Sequence, residues 1–357
     1  MPTEQATIQT YRIHRCGFYR RGAKSPEFGE LDEVLTEARS WAIDGKLQLG
    51  DTCTFTEDAK KSWLGVYAWE MRRDASTGTW AITLWNRTPK SAGGVMFADA
   101  AGTPSARKAR TSAPKKNDLP GYPTHFWLDP ASSSLVTVQL DEFPNGHQNL
   151  IRWLTGFLRN VSPYRVKQTH VDEDGQESVE SVTWRELGAS DEDETPAVQP
   201  SFVSKPVVLP GKIKTVQDNR AKIKRVLIRE QLVSSVVDDR GLIERLLSRV
   251  DLDFQDYTPS SVRVEAKIPV VPSQEDLDEM LSGSESAGPS GFGFEIEGVD
   301  KPVWIDHAST RESRKLDIVR DKNNVPAAES ILRTMKTLRK TITNRVKQDL
   351  SVHHAID

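Results

Sequence analysis

The sequence predicts an α+β protein of two domains, built from mixed or antiparallel sheets with flanking helices and a long helix near the C-terminus. The chain has 357 residues, which is enough for two hydrophobic cores at roughly 100 to 200 residues per domain. Runs with strand periodicity and runs with helical periodicity occur in both halves. Residues 166–211 are acidic and then rich in proline, which predicts a linker or a long exposed loop. We therefore expect α+β domains at 1–165 and 212–357.

The elements of the first domain follow from the spacing of its apolar residues. Residues 8–20 alternate at strand period, whereas residues 30–43 place their apolar side chains on one helical face. Two aromatic-rich runs separated by residues 74–78 are typical of a hairpin. The predicted elements are a strand at 8–20, a helix at 30–43, a hairpin of 62–73 with 79–86, strands at 94–97, 125–128 and 135–140, and a helix at 149–158 with Asn145 as its cap. The segment 98–120 is basic and lacks periodicity, which predicts a mobile loop.

The second domain begins after residue 210 and ends in the strongest helical signal of the chain. Residues 215–236 are ambiguous between helix and strand, 241–250 predict a short helix, 261–271 a strand and 281–293 a flexible loop. The last helix is predicted at 327–350, where one face holds Ile331, Leu332, Met335, Leu338, Ile342, Val346 and Leu350. A spacing close to seven indicates docking against another helix, either in this chain or in a second subunit.

Charge is segregated along the chain, although the total is close to neutral. The net charge of -3, taken alone, argues against a polyanionic partner, because nucleic-acid-binding domains are usually basic. The basic blocks lie at 12–24, 105–116, 201–229 and 328–350, and the acidic blocks lie at 171–194 and 273–300. These blocks cancel in the total. The pattern excludes a uniformly basic DNA-coating protein, but it leaves room for a local phosphate-binding face.

Missing signals exclude several classes of protein. The sequence has no apolar run long enough to span a membrane and no apolar core of a signal peptide at its start, so we expect neither. Cys16 and Cys53 cannot form a disulfide framework, which favours a reducing cytoplasm. The histidines lack metal-ligand spacing and there is no phosphate-binding loop, so we predict no metal, no cofactor and no enzymatic activity. Most tryptophans occupy apolar positions and are expected in the core.

The strand predicted at 261–271 carries a motif with three interpretations. Arg263, Glu265 and Lys267 project from one side, since residues on a strand alternate between its two sides. Together with Asp251 or Asp253 upstream, Glu265 and Lys267 match the way metal-dependent nucleases hold a divalent ion and position a lysine near the attacking water. The same residues also fit a solvent-facing charged ladder, or a basic strand that lines a phosphate groove.

Three segments resemble the RexA-like phage exclusion proteins of temperate phages. They are SSVRVEAKIPV at 260–270, the segment 16–24 that begins Cys16-Gly17-Phe18-Tyr19, and the segment 121–127 that leads through a strand into the helix at 149–158. The resemblance implies a dimeric protein of two domains that binds DNA without sequence preference, with a fold like that of the ring-forming recombination-associated protein RdgC. It also implies a role in prophage-encoded exclusion of other phages and in lysis-lysogeny control, beside a membrane-protein partner encoded alongside.

The leading hypothesis is that basic residues from two domains or two subunits line a groove that neutralises the phosphates of double-stranded DNA. Lysine and arginine release condensed counterions there, which gives affinity independent of sequence. The predicted DNA contacts are Lys222, Lys224, Arg225, Arg229, Arg263, Lys267, Arg314, Lys315, Arg320, Arg333, Lys336, Arg339 and Lys340. Two alternatives stay open: the metal-dependent nuclease, and a regulatory scaffold that acts through a protein partner.

Overall fold

A computed structural model describes residues 3–58, 63–88, 96–103, 109–110, 118–140, 143–171, 177–189, 197–207, 210–233, 261–274, 276–277, 291–304 and 311–353. In this part of the chain the fold is α+β with antiparallel sheets, which confirms the predicted class. The chain divides into two compact units. Unit 1 consists of Met1–Glu57, Leu64–Pro206 and Glu312–Val346, and unit 2 consists of Asp58–Trp63, Val207–Arg311 and Lys347–Asp357. None of the helices described is long and apolar enough to cross a membrane.

The secondary structure alternates long strands with a few helices. In chain order the strands are β1 (Thr3–Arg20), β2 (Val66–Arg73), β3 (Trp80–Arg87), β4 (Met96–Asp99), β5 (Ala109–Arg110), β6 (Asp118–Asp129), β7 (Ser134–Gln139), β8 (Arg165–Val171), β9 (Glu177–Trp184), β10 (Val198–Pro206), β11 (Ile223–Val233), β12 (Ser261–Ile268), β13 (Gly291–Ile296), β14 (Val303–Trp304) and β15 (Glu312–Asp317). The α-helices are α1 (Leu31–Arg39), α2 (His147–Gly156), α3 (Pro210–Asp218) and α4 (Ala328–His353). π-Helical turns at Ser40–Asp44 and Phe157–Val161 extend α1 and α2.

The large sheet of unit 1 is organised around β1. Its strands follow the order β10-β1-β7-β6-β3-β2. In addition, β15 pairs with β1, β4 pairs with β6, and β5 pairs with β4. β7 takes one side of β1, whereas β10 and β15 lie end to end along the other side. β10 ends with Pro206 opposite Tyr11, and β15 begins with Glu312 opposite Ile8. The chain between these two strands, 207–311, belongs to unit 2.

Helices cover both faces of this sheet, because each strand points alternate side chains to opposite sides. On one face, buried residues of α1 and α2 form a core with Ile82, Phe126 and Leu135. On the other face, α4 packs on Ile8 and Trp127. These are the α1/α2 face and the α4 face. Most tryptophans lie in the core, as predicted, and those fully buried are Trp80, Trp85, Trp127 and Trp153.

The elements with the strongest periodicity match the predictions. β1 contains the predicted strand 8–20, and α1 with its π-helical turn covers the predicted helix 30–43. The predicted hairpin is formed by β2 and β3, but Arg73 lies opposite Trp80, so residues 74–79 form its loop instead of 74–78. At the start of α2, the Asn145 side-chain oxygen accepts a hydrogen bond from the backbone N–H of His147 at 3.1 Å, but the N-cap residue is Gly146, so Asn145 lies one residue before the cap.

α4 confirms the helix predicted at 327–350, but it packs on a sheet of its own chain rather than on another helix. Ile331, Met335 and Ile342 are buried against the strands of unit 1. An apolar stripe on a helix fits a flat sheet as well as a second helix. The spacing close to seven therefore could not distinguish the two, and the apolar face of α4 is already buried within unit 1.

The domain boundaries differ from those predicted. The segment 166–211, predicted as a linker, contains β9, β10 and most of β8, and β10 joins the sheet of unit 1. Val198 and Phe202 of β10 are buried, whereas its prolines stand on the outermost strand, where a missing N–H is tolerated. The predicted second domain included α4, but α4 belongs to unit 1 as far as Val346. The acidic and proline-rich composition of this segment did not indicate β10, because β10 pairs with a strand, β1, that is far away in sequence.

Two segments predicted as loops contain strands. Within 98–120, the structure has the end of β4, then β5, and the start of β6. Within 281–293, the last three residues begin β13. The rest of that predicted loop and the helix predicted at 241–250 lie outside the described residues.

Unit 2 is built on the sheet β12-β11-β13-β14. β12 confirms the strand predicted at 261–271. The ambiguous segment 215–236 holds the end of α3 and all of β11, so both periodicities are present in it. Val216 of α3 packs with Val226, Ile228 and Phe294 of the sheet in a separate core.

Candidate nucleic-acid interface

α4 crosses the large sheet of unit 1 from edge to edge. At its start, the Ala328 backbone N–H donates to the Glu70 carboxylate on β2 at 3.2 Å. Near its end, Arg345 donates to Glu312 on β15 at 2.7 and 3.2 Å. Residues 328 to 345 span about 26 Å at the rise of an α-helix, and the five strand spacings from β2 to β15 amount to about 24 Å. The part of the helix between residues 328 and 345 therefore matches the width of the sheet.

Arginines beside the apolar stripe fix α4 to the strands. Arg339 donates two hydrogen bonds, at 2.8 and 3.0 Å, to the Asp129 carboxylate at the end of β6. The Asp129 side chain is 1% exposed and that of Arg339 is 31% exposed. Burial alone raises the pKa of Glu312, but hydrogen bonds from Arg345 and Arg314 outweigh it and lower that pKa. The Glu312 carboxylate is thus held ionised by its two arginines.

Three of the predicted DNA contacts are therefore engaged in structural ion pairs. Arg339 holds Asp129, and Arg314 donates to Glu312 at 3.0 Å, with its Nε 2.9 Å from the other carboxylate oxygen. Arg320 donates to both oxygens of Glu4, with a shortest distance of 2.7 Å. Such contacts anchor α4 and the segment before it, and they leave these guanidinium groups less available to phosphates.

The outer side of α4 carries further cations, of which Arg333 and Lys340 are not engaged in this way. Residues 330–348 contain six lysines and arginines and no acid. Arg333, Lys336 and Lys340 are exposed, and at 100° per residue Arg333 and Lys340 lie about 150° to 170° from the centre of the apolar stripe. Lys336 contacts Ser76 at 2.8 Å and Asp74 at 3.5 Å in the β2–β3 loop. In the part of the chain that the structure describes, no carboxylate pairs with Arg333 or Lys340.

A second group of cations lies on the α4 face, on β1 and β10. Arg12 is directly opposite Lys205, and opposite residues of an antiparallel pair share a face. This is the α4 face, because the preceding residue, Tyr11, packs into the core on the α1/α2 face. Beyond a bulge, the guanidinium of Arg15 lies 4.0 Å from the centre of the Tyr19 ring. β10 and residues 5–20 of β1 contain no acid.

We call the two groups together the basic face: Arg12, Arg15, Lys205, Arg333, Lys336 and Lys340. The sequence prediction omitted the first three, although the basic block 12–24 and the strand period of β1 pointed to two of them. The position of Arg12 and Arg15 next to Lys205 depends on the pairing of β1 with β10, and the composition of 166–211 did not predict that pairing. Lys315 is not part of the basic face. It lies opposite Gln5, whereas its neighbour Leu316 packs in the core under α4.

The predicted contacts in unit 2 lie in a different electrostatic setting. Arg225 pairs with Glu295 at 2.9 Å, and Lys224 pairs with Glu297 at 3.1 Å. Lys267 lies 4.0 Å from the other oxygen of Glu295. Lys222 is exposed at the start of β11. For Arg229 and Arg263 the register places their backbones opposite Glu265 and Gln231.

Seven of the thirteen predicted contacts lie in unit 1 and six in unit 2, so they do not form one cluster within a unit. The residues of the nuclease interpretation, Glu265 and Lys267, lie at alternate positions of β12. Asp251 and Asp253 are outside the described residues. Among the residues that are described, no group of three or more potential ligands could hold a metal ion.

Comparison with family models, with curated proteins and with solved structures gives no match for this chain. None of these comparisons identifies a RexA-like or RdgC-like protein, and the three segments on which that expectation was based lie in β1 and the turn after it, in β6, and along β12. The resemblance thus rests on these sequence segments.

Proposed function

We propose that the protein binds double-stranded DNA without sequence preference, through the basic face of unit 1. The observation that carries this proposal is that some cations of the α4 face form ion pairs with its carboxylates, whereas others do not. The carboxylates Glu4, Asp129 and Glu312 are each matched by an arginine. Arg333 and Lys340 remain exposed on the outer side of α4, with no carboxylate partner among the described residues.

The chemistry of the basic face suits the phosphate backbone rather than the bases. Arg333 and Lys340 are seven residues apart, or about 10 Å along the helix, and one DNA strand carries about three phosphates over that length. Arg12 lies four residues beyond Ile8 on β1, about 13 Å from the strand position that α4 crosses. Phosphate contacts of this kind give affinity through counterion release and carry no sequence information.

The biological setting is proposed from the resemblance to RexA-like proteins. On that basis we propose that the protein is located in the cytoplasm of a bacterial host. There it acts in prophage-encoded phage exclusion, as a homodimer and beside a membrane-protein partner. No catalytic step is part of this proposal. Because the apolar face of α4 is buried in unit 1, we propose that a dimer forms through another surface.

The test is DNA binding by the double variant Arg333→Gln/Lys340→Gln, measured by fluorescence anisotropy with unrelated duplexes over a series of salt concentrations. Each lost phosphate contact should reduce the slope of log affinity against log salt by about 0.9, or about 1.8 for both. The matched control is Lys24→Gln/Lys315→Gln, which removes two exposed lysines outside the basic face. Equal losses in both variants, no binding at low salt, or binding restricted to one sequence would contradict the proposal.

A further inference from the structure

Glu295 in unit 2 is held between cations of two different strands. Arg225 of β11 donates to one oxygen at 2.9 Å, and the ammonium of Lys267 on β12 lies 4.0 Å from the other oxygen. β11 lies between β12 and β13, and Lys267 is opposite Leu227 of β11. The Lys267 side chain therefore extends across β11, consistent with Leu227 being only 1% exposed.

A second ion pair lies close to the first along the same strands. Lys224, at the bulge of β11, pairs with Glu297 just beyond the end of β13 at 3.1 Å. Its side chain is 60% exposed and that of Glu297 is 64% exposed. Arg225 and Lys267 are also more than half exposed. Ion pairs with this much solvent contact exchange their partners readily.

A carboxylate between an arginine and a lysine occupies the position that a phosphate group takes in the same surroundings. Both anions accept charge-assisted hydrogen bonds from a guanidinium, and arginine binds both in similar geometry. Glu295 and Glu297 are thus the two acids that pair with Lys224, Arg225 and Lys267.

We propose that these cations form a second phosphate-binding surface, covered by Glu295 and Glu297 of the same unit, and that DNA phosphates displace the two carboxylates. The inference rests on the proposed function for its ligand, since the polyanion is the DNA backbone. It assigns regulation to unit 2: the unit adds affinity only where the local concentration of phosphate is high enough to compete with its own carboxylates. The basic face of unit 1 supplies that concentration once it holds DNA, because the two units share one chain.

The test is the isosteric variant Glu295→Gln/Glu297→Gln, with salt-dependent anisotropy on the same duplexes. We expect the slope of log affinity against log salt to become steeper by about 2.7, for three newly available cations, and the affinity at low salt to rise about tenfold or more above the control. The control is Glu27→Gln/Asp44→Asn, which removes the same charge from two exposed ion pairs of unit 1. An increase equal to that of the control means a general effect of net charge and overturns the inference.

A second pair of variants tests the assignment of the cations. Arg225→Gln/Lys267→Gln should change the affinity less than twofold in the native background, where Glu295 occupies both side chains. In the Glu295→Gln/Glu297→Gln background, the same substitutions should reduce the gain in slope from about 2.7 to about 0.9, because Lys224 is still available. A full loss already in the native background means that the cations are not covered, and this result would also overturn the inference.

The two proposals fail in different ways. If the native chain binds DNA through Arg333 and Lys340 but the Glu295 variant equals its control, only the covered surface is wrong. If the native chain does not bind and the Glu295 variant does, with a steep salt dependence, the basic face is wrong and the covered surface stands. If neither binds at low salt, both proposals are wrong.

Discussion

Replacing Arg339 by alanine separates a structural cation of α4 from a DNA-binding one. The substitution leaves the carboxylate of Asp129, which is 1% exposed, without its arginine. Loss of one partner from a buried ion pair costs about 3 to 5 kcal/mol. Arg339 is 31% exposed, and the Ser132 hydroxyl still donates to Asp129 at 2.9 Å. We therefore expect the free energy of unfolding of unit 1 to fall by about 2 to 4 kcal/mol.

The assay is denaturant unfolding followed by tryptophan fluorescence, since Trp127 is buried in the core under α4. A loss of this size lowers the melting temperature of a unit this large by roughly 5 to 15 °C. Arg333→Ala is the matched variant on the outer side of the helix, and it should change stability by less than about 0.5 kcal/mol while weakening DNA binding. If Arg339→Ala unfolds like the native chain and loses DNA affinity as Arg333→Ala does, Arg339 is a surface contact and the structural role assigned to it is wrong.

Two further predictions concern unit 1. Its stability should fall as the pH drops from about 6.5 towards 4, because burial lowers the pKa of His147 to about 4 and that of His125 to about 3, so in this window the unfolded chain binds more protons. Unfolding midpoints between pH 7 and 4 should depend less on pH in His147→Gln, and an unchanged dependence would contradict the explanation. Gly17 has a φ of +114°, and a Cβ there would lie 2.3 Å from the Gly29 carbonyl oxygen, so Gly17→Ala should cost about 3 kcal/mol or more. Gly22→Ala, with a φ of +82° and no atom within 4 Å, should cost only about 1 to 2 kcal/mol in the same unfolding assay, and equal losses would mean that crowding at Gly17 is not the cause.

The elements that the sequence predicts well are those whose burial follows from local spacing. α1 and α4 each carry a continuous apolar stripe, and β1 alternates over most of its length, so contiguous residues contain the whole signal. The β2–β3 hairpin is of the same kind, because its two strands are neighbours in sequence. In each case the partner surface did not need to be known.

The missed features depend on partners that are distant in sequence. β10 is a strand of nine residues with two prolines, and it becomes recognisable only through its pairing with β1. The functional prediction did not distinguish the cations that anchor α4 to the sheet from those on its outer side, for a related reason. Arg339 and Arg345 lie within about 70° of the centre of the apolar stripe of α4, on its two sides, at 100° per residue. That position beside the stripe could have marked both as anchors to the sheet.

The end-to-end arrangement of β10 and β15 on β1 makes residues 207–311, the main part of unit 2, an insertion into an otherwise continuous sheet edge. The chain leaves this edge after Pro206, opposite Tyr11, and returns at Glu312, opposite Ile8. These points are three positions apart on β1, which is about 10 Å, a gap that a few residues of loop can bridge. The segment 207–311 thus has the connectivity of an insertion, whereas the other two segments of unit 2, Asp58–Trp63 and Lys347–Asp357, lie elsewhere in the chain. A short loop in place of 207–311 would leave the pairing of the large sheet unchanged.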